Sequence, residues 1–205
     1  MEMSETLAKL AAGTDLDSDE MTALMQSIMT GEATPAQIGS ALTALRIKGE
    51  TVEEITAAAS VMRDLSSRVP VSYDEMIDTC GTGGSGVSKF NVSTASAIVI
   101  ASAGLRVAKH GNRAASGVSG SADVLEAAGL RLDMSPDAVA ASIEEVGVGF
   151  LFAVNHHSAM KHAIGPRREL KFRTIFNLLG PLTNPAGAKR QVLGVFDRQW
   201  LTPMA

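Results

Sequence analysis

Over the first 70 residues, apolar side chains recur three and four positions apart, the pattern of helices that turn one face inward. A short amphipathic segment carries Met3, Leu7 and Leu10. The next apolar face is Met21, Leu24, Met25, Ile28 and Met29, preceded by Asp17, Asp19 and Glu20, whose charges suit the positive end of a helix. Thr34-Pro35 then joins a cap to a first-turn proline, and Gln37 closes a capping box. Ile38, Ala41, Leu42 and Leu45 line the helix that follows, ending near Gly49. Thr51 and Glu54 repeat the device ahead of Ile55, Ala58, Ala59, Met62 and Leu65. The spacing predicts four helices before any strand. The methionine-rich stripe reads as core or subunit interface rather than a binding groove, because Met fills irregular apolar gaps.

From Tyr73 onward the period changes. Apolar runs over 76–78, 105–109, 149–154 and 191–196 read as strands. Helices are predicted between them, over 94–103 stopping at Gly104, over 122–128 stopping at Gly129, and from Ser135-Pro136 to Gly147. Such alternation implies a mostly parallel sheet flanked by helices, with ligand loops at the carboxyl ends of the strands. The expected fold class is α/β: a helical domain over 1–70 and an α/β domain over 71–205, part of 155–190 packing with the helical domain.

Composition narrows the chemistry. A net charge of -4 supplies no field to hold a polyanion, so nucleic acid is not an expected partner and a phosphate must be met by a local site. The single cysteine, Cys80, precludes an internal disulfide and reads as a small buried residue in a reducing compartment. Met1-Glu2-Met3-Ser4-Glu5 lacks the basic start and apolar run of a signal peptide, and no apolar stretch is long enough to cross a bilayer. A cytoplasmic protein without a membrane partner is expected.

Three segments carry candidate chemistry. Gly81-Thr82-Gly83-Gly84-Ser85-Gly86 follows the first strand, and its glycines let backbone N–H groups approach an anion. By itself it reads equally as a pyrophosphate cradle or a surface turn; it is neither a Walker loop nor a dinucleotide fingerprint. Asn91-Val92-Ser93-Thr94 opens the next helix, where backbone donors and the helix dipole favour a phosphate; plain capping is the competing reading until the glycine loop beside it is counted. Lys109-His110-Gly111-Asn112-Arg113 follows the second strand and runs on into Ala114-Ala115-Ser116-Gly117 and Ser119-Gly120-Ser121. A lysine in an apolar strand needs a partner, and a phosphate at the strand end would supply one.

The order Gly-Thr-Gly-Gly, Asn-Val-Ser-Thr, Lys-His-Gly-Asn-Arg resembles the anthranilate phosphoribosyltransferase family. So do Ser121-Ala122-Asp123-Val124-Leu125-Glu126, Asn155-His156-His157 with Ala159-Met160-Lys161, and Arg173 through Pro185. The resemblance implies a nucleoside phosphorylase/phosphoribosyltransferase-like fold. It implies transfer of phosphoribose from phosphoribosyl diphosphate to the amino group of anthranilate, with release of pyrophosphate, in tryptophan biosynthesis. By the same resemblance, phosphoribosyl diphosphate is met by Gly81, Gly84, Ser85, Lys89, Asn91, Val92, Ser93, Thr94, Lys109, His110, Gly111, Asn112, Arg113, Ala114, Ala115, Ser116, Gly117 and Ser121. Anthranilate is met by Gly81, Asn112 and Arg167, with Arg168 the competing arginine. Ser93 is implied as a hydroxyl ligand of Mg2+, and a homodimer through the N-terminal helices is implied as well. His110 and His157 are candidate proton acceptors or ring contacts.

Ser85 stands where the family usually has aspartate, Lys89 where a hydroxyl is common, and Gly117 where a second serine commonly follows. The more positive phosphate side implies tighter phosphate binding and an altered Mg2+ dependence. Family members run well past Ala205, and their Asp-Glu metal pair lies in that part. The expectation is therefore a chain with little or no catalysis by itself. The competing readings are a nucleoside phosphorylase of the same fold and a non-catalytic ligand-binding fragment.

Overall fold

The computed structural model describes residues 2–71, 73–83, 90–114 and 119–205. In chain order it contains helices α1 (Met3–Ala11), α2 (Ser18–Thr30), α3 (Pro35–Lys48) and α4 (Val52–Asp64), strand β1 (Ile77–Gly81), helix α5 (Val92–Ser102) and strand β2 (Val107–Gly111). Helices α6 (Ser121–Ala127) and α7 (Pro136–Val146), strand β3 (Val148–Phe152) and helices α8 (Ala153–His156), α9 (Lys161–Leu170) and α10 (Ile175–Leu182) follow. Strand β4 (Arg190–Gly194) and helix α11 (Leu201–Met204) complete the chain. These elements divide into two compact units. One comprises 1–65 and 158–182, the other 66–157 and 183–203. Residues 158–182 thus cluster with the N-terminal helices although they lie far along the chain from them.

In the helical unit, the apolar faces of α2 and α3 are buried at every position named from the spacing. The face of α4 departs at one end: Leu65 caps the helix and is 43% exposed, because the last turn leaves the packed surface. Capping boxes fix the starts of α2, α3 and α4. Asp17 and Glu20 exchange hydrogen bonds of 2.9 Å, Thr34 pairs with Gln37, and Thr51 with Glu54. Glu54 is fully buried and its carboxylate also accepts from Leu16 N at 3.0 Å and from Lys48 Nζ at 3.0 Å, so this cap anchors the preceding loop as well. Thr51→Ala should therefore cost about 1 kcal/mol of stability, read as a lowered urea midpoint by far-ultraviolet circular dichroism. Gly31 ends α2 at φ 85° with the His162 ring 2.5 Å from where a Cβ would stand, so both backbone and packing require glycine there.

In the α/β unit the strands are all parallel in the order β3-β2-β1-β4. Register runs Val107↔Val148 to Gly111↔Phe152 on one side and Ile77↔Arg190 to Gly81↔Gly194 on the other. Val69, Met76, Ala108, Val139, Ala140, Ile143, Leu151 and Ala186 form its core. All four strands are displaced from the apolar runs that announced them. β1 continues through Thr79-Cys80-Gly81 and β2 through His110-Gly111, where ladder pairing persists although side-chain hydrophobicity does not. Leu105 instead closes a turn onto Ile100, and Ala153-Val154 begin α8. α5 starts at Val92, two residues before the expected Thr94.

The strand order places a switch point at β1, whose neighbours β2 and β4 lie on opposite sides of it. Ligands of open parallel sheets bind outside the carboxyl ends at such points. Among the described residues no helix is long and apolar enough to cross a membrane.

Candidate functional site

The carboxyl end of β1 leads into Thr82-Gly83, and Thr82 ties this exit to β4. Its N–H donates to Gly194 O at 2.9 Å, and its hydroxyl accepts from Phe196 N at 3.0 Å. Gly84, Ser85 and Lys89 lie outside the described residues, as do Ala115, Ser116 and Gly117. The remaining phosphate candidates gather around the N-terminus of α5 and the end of β2.

Asn91 occupies the N-cap position of α5, yet no side chain caps the helix. Asn91 Nδ2 donates instead to Ser119 O at 3.4 Å and Gly120 O at 3.3 Å, and Thr94 Oγ1 donates to Ser121 Oγ at 2.9 Å. The polar side chains at this helix start are spent on the segment after β2, so the capping alternative does not describe them. The positive end of the helix dipole, free of a side-chain cap, faces the same region.

Lys109 is 2% exposed, and its ammonium donates to Thr79 O at 2.6 Å and Ser93 Oγ at 3.3 Å. Thr79 Oγ1 in turn donates to Ser93 O at 2.8 Å. The partner that the lysine requires thus comes first from the protein, with Ser93 as its link to the phosphate side. Burial lowers the basicity of Lys109, and the negative charge of Asp78 opposes that shift.

Asp78 is the residue that the sequence reading passed over. Its carboxylate is fully buried in β1, accepts from His110 N at 3.0 Å and from Gln191 Nε2 at 3.2 Å, and so joins β2 and β4 to β1. Burial raises its pKa, with Asn184, the His110 N–H and Gln191 acting the other way. An aspartate and a lysine alone in neighbouring apolar strands were the available signal, since each buried charge implies the other. Cys80 lies beside it, its thiol pushed well above its ordinary range, chiefly by burial. That makes it a packing residue rather than a nucleophile.

His110, His156 and His157 are all buried, and the rings of His110 and His157 lie 5.3 Å apart. His156 Nδ1 lies 2.8 Å from Ser67 O. Burial, followed by the neighbouring His156, pushes His157 down to about 4. A base so weak takes up a proton poorly near neutrality, which points to a packing role. Because its ordinary value is 6.5, the unfolded chain gains a proton first as pH falls, and stability should decline between pH 6.5 and 4 by up to about 3 kcal/mol. Urea midpoints at pH 7 and 4.5 should fall further for the wild type than for His157→Asn.

Arg113 is engaged with acidic side chains, bidentate to Glu126 at 2.7 and 2.9 Å and touching Asp123 at 3.0 Å. Asn112 is exposed, and its Oδ1 accepts from Arg113 N at 2.7 Å. The two candidate arginines of α9, in the helical unit, differ. Arg167 is half-buried with its guanidinium 5.1 Å from the Phe176 ring centre, whereas Arg168 is exposed. Burial lowers the basicity of Arg167, and no carboxylate pairs with it among the described residues. A half-buried planar cation of this kind suits a carboxylate ligand.

Comparison with known proteins adds to this geometry. Residues 4–66 match the glycosyl transferase family, helical bundle domain, and residues 73–205 match the glycosyl transferase family, a/b domain. An anthranilate phosphoribosyltransferase of Thioalkalivibrio sulfidiphilus is 63% identical over the whole chain, which covers 61% of that protein. Among solved structures, the anthranilate phosphoribosyltransferase of Thermus thermophilus superposes with a TM-score of 0.92 at 48% identity, over 97% of this chain and 60% of that one. The Saccharomyces cerevisiae enzyme in complex with phosphoribosyl diphosphate and Mg superposes with a TM-score of 0.90 at 28% identity, over 98% and 60%. The chain therefore spans about three fifths of the length of these relatives.

Proposed function

Since this chain belongs to the glycosyl transferase family with a helical bundle and an a/b domain, we propose that it serves anthranilate phosphoribosyl transfer: it binds phosphoribosyl diphosphate in its α/β unit and the anthranilate carboxylate through Arg167. The observation that carries this reading is the start of α5, where Asn91 and Thr94 hold Ser119–Ser121 instead of capping the helix, beside a Ser93 hydroxyl positioned by Lys109. The similarity to anthranilate phosphoribosyltransferases favours transfer over phosphorolysis of a nucleoside.

Displacement at the anomeric carbon leaves negative charge on the departing pyrophosphate. The N-terminus of α5 stabilises that charge, and a neutral acceptor amine needs no strong base. The weakness of His157 as a base fits such a scheme. Mg2+ would neutralise diphosphate oxygens. Among the described residues no cluster of His, Cys, Asp or Glu is arranged to hold a metal, and Ser93 offers one hydroxyl oxygen. Ser93 would give that oxygen to an Mg2+ held together with the substrate phosphates. Dimerisation through the helical unit and a cytoplasmic location belong to the same proposal.

Incubation with phosphoribosyl diphosphate, Mg2+ and anthranilate, followed by assay of pyrophosphate, tests the reading. Anthranilate-dependent release, with no phosphorolysis of thymidine, supports it. Binding of the donor without release would assign the chain a recognition role only, and phosphorolysis of thymidine would overturn the proposal.

A further inference from the structure

We propose that Asp123 is a positioning residue for substrate binding: its single carboxylate fastens Ala114 to Gly120 and so sets how residues 112–114 and 119–121 are presented. This rests on the reading of Asn112, Arg113, Ala114 and Ser121 as phosphate-binding.

Asp123 is the third residue of α6. Its Oδ2 accepts from Gly120 N at 2.7 Å and from Ala114 N at 3.0 Å, and its Oδ1 accepts from Arg113 Nη1 at 3.0 Å. Capping of α6 accounts for the first contact only. Ala114 is no part of that helix, and its N–H reaches the carboxylate from nine residues back. The backbone meets itself at the same place: Ala122 N donates to Asn112 O at 3.2 Å, and a Cβ on Gly120 would stand 2.5 Å from Ala114 N and 2.7 Å from Asn112 O. Both ends of the segment are therefore pressed together with room for glycine alone.

From its other side, the fastened segment is held by α5, through Asn91 to Ser119 and Gly120 and through Thr94 to Ser121. Displacing the clasp would shift the groups that reach the start of α5. The two amides, followed by Arg113, hold the Asp123 carboxyl below its ordinary range, so it is ionised at neutral pH. Glu126 binds Arg113 as well, but its side chain is half exposed, and a solvated pair contributes little. The clasp therefore depends on Asp123 and not on Glu126.

Two readouts test this. In wild-type chain labelled with nitrogen-15, the amide proton shifts of Ala114 and Gly120 should titrate together with one carboxylate, and both amides should exchange slowly. Asp123→Asn should abolish the common titration and speed exchange, whereas Glu126→Gln should leave both unchanged. Calorimetric titration with phosphoribosyl diphosphate and Mg2+ should then give a Kd raised about tenfold in Asp123→Asn, as expected if the competent arrangement falls to about a tenth of the population. Gly120→Ala, which attacks the crossing from the backbone side, should weaken binding in the same direction. Unchanged Ala114 and Gly120 amides in Asp123→Asn would overturn the clasp, and released amides with unaltered affinity would overturn the positioning role. Wild type that binds no phosphoribosyl diphosphate would overturn the substrate reading, while the wild-type amide titration would still decide the clasp.

Discussion

Lys109→Met is expected to destabilise the α/β unit by about 1–3 kcal/mol, because it leaves the buried Thr79 carbonyl without its donor and removes the positive charge that eases the burial of Asp78. The ammonium is held by Thr79 O and Ser93 Oγ, and the Asp78 carboxylate on the next strand is wholly buried. Without the cation, Asp78 keeps its hydrogen bonds from His110 N and Gln191 Nε2 but loses its electrostatic compensation. Trp200, the only tryptophan of the chain, is buried in this unit and reports its unfolding by fluorescence. Combining Lys109→Met with Asp78→Asn should cost less than the sum of the two single changes, with a coupling on the order of 1–3 kcal/mol. Strict additivity would mean that the two charges do not compensate each other.

Arg167→Ala is expected to weaken anthranilate binding about a hundredfold, as truncation of one member of a desolvated, hydrogen-bonded charge pair does. Its guanidinium is held over Phe176 and lacks a carboxylate partner among the described residues, so the ligand would supply the missing charge. Arg167→Lys should recover only part of the loss, since an ammonium cannot make the two-pronged contact. Exposed Arg168, replaced by alanine, should change affinity little. Calorimetric titration with anthranilate and with aniline separates the contributions: wild type should prefer the acid strongly, and Arg167→Ala should lose most of that preference. Equal effects of the two arginine changes would contradict the assignment.

Local chemistry made the helical unit legible. Thr34 with Gln37 and Thr51 with Glu54 are recognisable because a cap and its reciprocal partner lie three residues apart. The box formed by Asp17 and Glu20 has the same spacing, but two acidic residues equally suit the helix dipole, which hides their reciprocal contact. Strand ends were harder to read. The ladder runs on through Thr79-Cys80-Gly81 and His110-Gly111, where backbone pairing continues past the end of the apolar run.

In the site, the three polar segments were visible as motifs, but their mutual contacts were not. Asn91 reaches Ser119 and Thr94 reaches Ser121 across more than 25 residues, and Asp78 meets Gln191 across 113. No periodicity carries such information. Lys109 illustrates the limit. That it needed a partner was readable, whereas the identity of the partner depended on how β1 and α5 are arranged. Asp123 had a readable signal, an acidic residue three positions after Gly120 at a helix start, but its second contact with Ala114 depends on the chain meeting itself.

Calorimetry of the 205-residue chain with phosphoribosyl diphosphate and Mg2+ decides whether the α/β unit recognises that ligand at the start of α5. Saturable binding of one ligand per chain is predicted, competed by pyrophosphate and weakened by Thr94→Val, with circular dichroism unchanged. Folded chain that gives no binding heat at any ligand concentration, or binding indifferent to both pyrophosphate and Thr94, would contradict it.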